Sequence, residues 1–121
     1  MKYLFIVTLL LSSLYANSFQ GTLSKAKQGD INAQNKVGEM YYMGNDVEQD
    51  FEKAAKWFKK ASNVGHAKAQ INLGLMFYKG EGVKKDKSQA YKLWLESANN
   101  GNTLAKKYVD GLCKQNPSIC K

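Results

Sequence analysis

The chain has 121 residues, enough for one domain and short of two. It carries a formal charge of +8, from 18 basic against 10 acidic residues, and every basic residue is lysine. Without arginine there are none of the planar forks that read bases and phosphates, so the charge argues against nucleic-acid recognition and is read as a solvated, lysine-rich surface.

The N-terminus reads MKYLFIVTLLLSSLYANS. One lysine precedes an apolar run from Tyr3 to Leu11, and a zone of small residues follows from Ser12 to Ser18. This is the layout of a secretory signal peptide, and the run is too short to cross a bilayer. Residues 1–16 are therefore expected to be a signal peptide. Residues 17–121 are then a periplasmic or secreted domain with no membrane span of its own.

Shifting the chain against itself by 36 residues brings residues 31–66 onto residues 67–102 without a gap. Ala33-Gln34 returns as Ala69-Gln70, Gly38 as Gly74, Met40 as Met76 and Tyr42 as Tyr78. Gly44, Val47, Asp50 and Ala54 return as Gly80, Val83, Asp86 and Ala90. In each copy the apolar residues fall at helical spacing: Ala33, Val37, Met40 and Tyr41, then Ala69, Leu73, Met76 and Phe77. Gly44 and Gly80 are expected to end these helices, and Asp50 and Asp86 to cap the next ones, with Gln89 completing a capping box on Asp86. Gly65 and Gly101 would close the second helices. Gly38 and Gly74 fall inside helices, which predicts a close approach of two helix backbones there.

Phe19, Leu23 and Ala26 stand one repeat before second-helix positions, so a lone leading helix is expected in a half-repeat over residues 18–30. Leu104, Ala105, Tyr108 and Val109 begin a third unit, a C-terminal cap over residues 103–121. Incomplete units at both ends are how a stack of repeats closes. The predicted fold is all-α, an α/α helical-hairpin solenoid of two full repeats flanked by half-repeats. Cys113 and Cys120 lie close together in the last unit, and an exported compartment favours their disulfide. With no histidine beside them they make a poor zinc site.

The Gly-Glu-Gly stretch at residues 80–82, with Lys84 and Lys85 after it, superficially suggests a phosphate loop. Such a loop needs a preceding strand, and here the glycines form the turn of a helical hairpin. No cofactor or metal site is expected.

These positions together are similar to the Sel-one-like repeat, a relative of the tetratricopeptide repeat. The cysteine pair also resembles the Helicobacter cysteine-rich proteins, in which every repeat carries such a pair. The resemblance implies a scaffold for protein–protein interaction, and for the cysteine-rich members a weak β-lactamase or penicillin-binding activity. An S-x-x-K occurs at Ser24 to Lys27, but neither partner motif of the serine β-lactamases is present. His66, the lone histidine, sits at a helix-start position, and no catalytic constellation is found. An exported interaction adaptor is the favoured function, with a β-lactam enzyme or an immunity protein as alternatives.

Residues that differ between copies are the candidates for recognition. On the first helices the stripe Asn32, Asn35, Glu39 and Met43 becomes Lys68, Ile71, Leu75 and Lys79. Ile71 and Leu75 between two lysines suggest a docking groove for an acidic or amphipathic segment of another exported or envelope protein.

Overall fold

A computed structural model describes Tyr3 and residues 18–121. Apart from Tyr3, the expected signal peptide lies outside the described residues. Helix α1 covers residues 18–27. It is followed by α2 (Ile31–Met43), α3 (Phe51–Asn63), α4 (Ala67–Lys79), α5 (Lys87–Asn99), α6 (Thr103–Gln115) and a short 3-10 helix, Pro117–Cys120. Among the described residues there is no strand, and no helix is long and apolar enough to cross a membrane.

Each hairpin is punctuated alike. Gly44 and Gly80 take left-handed φ angles of 71° and 73°, a conformation glycine adopts without strain, and their amides donate to Met40 and Met76. The chain then returns to place Asp50 and Asp86 as N-caps, whose carboxylates accept from the Lys53 and Gln89 amides. The capping box expected at Gln89 is only half made. The Asp86 amide that a Gln89 side chain would satisfy donates instead to the Phe77 carbonyl, as the Asp50 amide does to Tyr41. Gly65 and Gly101 close α3 and α5 as expected, just after the caps Val64 and Asn100, with left-handed φ angles of 83° and 94° and amides that donate to the Ser62 and Ala98 carbonyls.

Helix α2 packs on α3, α3 on α4, α4 on α5 and α5 on α6. The core is accordingly divided by junction. Phe19 and Ala26 meet Ala33, Val37 and Met40. Phe58 and Ala61 meet Ala69, Leu73 and Met76. Ile71, Ala90 and Trp94 meet Ala105 and Leu112. Burying one such large side chain contributes roughly 1.5–3 kcal/mol.

What approaches Gly38 and Gly74 is an aromatic ring, not a helix backbone. A Cβ on Gly38 would stand 2.6 Å from the Phe58 ring, and one on Gly74 would stand 2.3 Å from Trp94 Nε1. That indole N–H donates to the Ile71 carbonyl at 3.2 Å. The last unit is closed by the Cys113–Cys120 disulfide, which folds the 3-10 helix back against α6 and α5 and brings Ile119 to the Trp94 cluster.

Candidate functional site

The predicted stripe separates into two sets of residues. Asn32, Asn35, Glu39 and Lys68 form a polar seam between α2 and α4. Glu39 pairs with Lys68 at 2.8 Å and with Lys36 at 3.6 Å. Asn35 is 5% exposed; it donates to Glu39 and accepts from Asn72. Burial pushes the Glu39 carboxyl up, but the hydrogen bond and charge of Lys68, with help from Asn35 and Lys36, outweigh it and hold the group below its ordinary value.

His66 completes the seam. Its Nδ1 accepts from the Ala69 amide at 3.1 Å, so the proton resides on Nε2, which donates to Asn32 Oδ1 at 3.0 Å. It is thus the N-cap of α4, in the place that Asp30 and Asn102 hold for α2 and α6. Burial, and then the Lys68 charge, lower its pKa against a smaller opposing pull from Glu39. These side chains join neighbouring repeats, so their polar groups are already engaged within the chain.

Ile71 is a correction. It is 5% exposed, covered by Trp94 of α5 and by Ala105 and Leu112 of α6, so it belongs to the core and not to a groove. Leu75, one turn later, stays half-buried and forms a wall. Between α2 and α4 it faces a hollow of about 330 Å³ bordered by Glu39, Tyr42, Met43, Asn72 and Lys79. Met43 is 65% exposed there. The sequence stripe therefore locates Met43, Leu75 and Lys79 on one hollow and misses Tyr42 and Asn72. Tyr42 recurs as Tyr78, so it does not stand out as a residue that differs between copies; its hydroxyl donates to Glu81, which raises its pKa, with burial adding to the effect.

Ser24 and Lys27 are both exposed on α1, and the Ser24 hydroxyl accepts from Gln28 at 3.5 Å. No cluster of potential metal ligands exists among the described residues.

Stacked helical hairpins joined by a polar seam define an α/α repeat protein. The Sel1 repeat profile matches residues 31–66 and 67–102, and the chain belongs to the Sel1 repeat family. It is similar to a Sel1 repeat protein from Oxalobacter formigenes, with 38% identity and a TM-score of 0.77 over 80% of this chain and 28% of that one. A protective antigen of uropathogenic Escherichia coli strains with an SLR fold shares 30% identity at a TM-score of 0.80, over 86% of this chain and 22% of that one. Helicobacter pylori cysteine rich protein B is 28% identical at a TM-score of 0.70, over 74% of this chain and 68% of that one. The chain thus spans less than a third of the first two. No curated protein matches it. Sel1 repeats typically mediate protein–protein interaction.

Proposed function

We propose that this protein is an exported interaction scaffold that docks a segment of another envelope protein in the hollow between α2 and α4. The observation that carries this reading is the pairing of exposed Met43 with half-buried Leu75 across that hollow, beside a seam whose polar groups are already satisfied. Apolar walls with few competing polar groups suit a protein side chain. The N-terminal segment and the disulfide support export, since a disulfide persists in an oxidising compartment.

Affinity purification of the mature protein from its own envelope fraction tests the reading, run beside a Met43→Glu, Leu75→Glu double variant checked for native circular dichroism. A partner held by the wild type and lost by the folded variant supports it. A partner held equally by both places docking elsewhere, and the absence of any specific partner removes the scaffold reading. Mass spectrometry of the exported protein should find the chain beginning at Asn17; retention of the full apolar N-terminus would exclude export by signal cleavage.

A further inference from the structure

The docking hollow does not end at Leu75. On the other side of that residue a second hollow of about 210 Å³ opens between α4 and α6, lined by Tyr78, Trp94, Tyr108 and Gly111, and Leu75 borders both. Gly111 stands one repeat after Leu75 and two after Glu39, so it occupies the third position of the same stripe. Glycine inside a helix costs about 1 kcal/mol relative to alanine. At Gly38 and Gly74 an aromatic ring occupies the space a side chain would need; at Gly111 nothing lies within 4 Å of where a Cβ would stand. No neighbour in the fold requires a glycine there. Its effect is to keep the second hollow open.

The charges along this face are one-sided. Glu39 is the acid lining the first hollow and is held by Lys68 and Lys36, while the nearby Glu81 accepts from Tyr42. No acidic side chain lines the second hollow. Lys79 on the first and Lys107 on the second take part in none of the ion pairs among the described residues. Lys87 lies over the Tyr78 ring, 5.3 Å from its centre, and adds positive charge at the second hollow.

We propose that the two hollows form one track for an extended acidic–apolar segment of the partner, with an apolar side chain on each side of Leu75 and carboxylates at Lys79 and Lys107. This rests on the docking reading above and adds to it the second hollow and the chemistry of the ligand. Apolar burial supplies affinity, and the two ammonium groups select the sign of the ligand's charge.

The test is fluorescence anisotropy of the mature protein with a short labelled peptide of alternating leucine and aspartate. Controls replace the aspartates by lysine or the leucines by serine. The leucine–aspartate peptide should bind, more weakly as salt rises, and both controls should bind at least tenfold less tightly. Gly111→Leu fills the second hollow from a position where nothing lies within 4 Å of its Cβ, so it should weaken binding about tenfold while the melting temperature stays level or rises. Lys79→Glu with Lys107→Glu should weaken binding at least as much. Equal binding of the lysine control, failure of the leucine–aspartate peptide to bind, or indifference to Gly111→Leu would each overturn the proposal. A dimer in sedimentation that Gly111→Leu dissociates would also overturn it, by making a second copy the occupant. An envelope partner lost by the Met43, Leu75 double variant yet retained by Gly111→Leu would leave the docking hollow standing and remove only this extension.

Discussion

Adding one methyl group should have opposite effects at two helical glycines. Gly74→Ala forces a carbon against the Trp94 indole and breaks its hydrogen bond to Ile71. Overpacking costs about 1–3 kcal/mol and the lost bond about 1, against a gain of about 1 in helix propensity. A net loss of about 2 kcal/mol in urea unfolding is expected. Gly111→Ala meets no neighbour and should gain about 1 kcal/mol in the same experiment. Equal effects at the two sites would mean that the ring contact contributes nothing. The repeat marks Gly38 and Gly74 as close approaches, but the backbone pattern cannot say that a side chain makes them. Nor does it distinguish Gln34, which reaches the Ala26 carbonyl, from Gln70, whose amide is fully buried without a partner. Gln70→Met keeps the volume and removes the unsatisfied groups. It should raise stability by about 1 kcal/mol, and a loss in urea unfolding would show that the amide has a partner in solution.

At the scale of the element, helix boundaries were legible because caps and stops are local chemistry. Asp30, Asp50, Asp86 and Asn102 each accept from the amide three residues on, as Asp50 and Asp86 were expected to. The incomplete box at Gln89 was not legible, because the Asp86 amide is claimed by a carbonyl on the preceding helix. His66 sets α4 apart, since its cap is a titratable imidazole. Its pKa is lowered in the folded state, so the unfolded chain binds the proton more readily. The cap's contribution is then complete above about pH 6.5 and declines as pH falls toward the depressed folded value. His66→Asn should preserve the cap, as Asn102 does on α6, and remove the histidine's share of the stability loss below about pH 6.5. His66→Ala should lose about 1 kcal/mol at pH 7.5. A wild-type profile matching the asparagine variant in chemical unfolding at each pH would rule the histidine out as the source.

For the whole molecule, the 36-residue period reveals the hairpins, their order and the unpaired helix at each end. It did not show which stripe the next unit covers, because that depends on how successive hairpins turn against one another. Ile71 and Leu75 lie on the same helix one turn apart, yet α6 buries the first and leaves the second at the edge of a hollow. The same lateral dependence makes α6 rely on the 3-10 helix, which packs against both α6 and α5. Closing a loop as short as that between Cys113 and Cys120 stabilises by about 2 kcal/mol through chain entropy. Cys113→Ser with Cys120→Ser should lose about that much. Each unit in a stack contacts only its neighbours, so added amide exchange should appear first in the 3-10 helix and the end of α6, then in α5, and leave α2 protected. Uniform loosening from α1 to α6 would instead mean that the stack unfolds as one unit and that the staple holds all of it. The graded pattern would place its action on the wall of the second hollow, where Tyr78 on α4 donates to Gln115 in the last turn of α6.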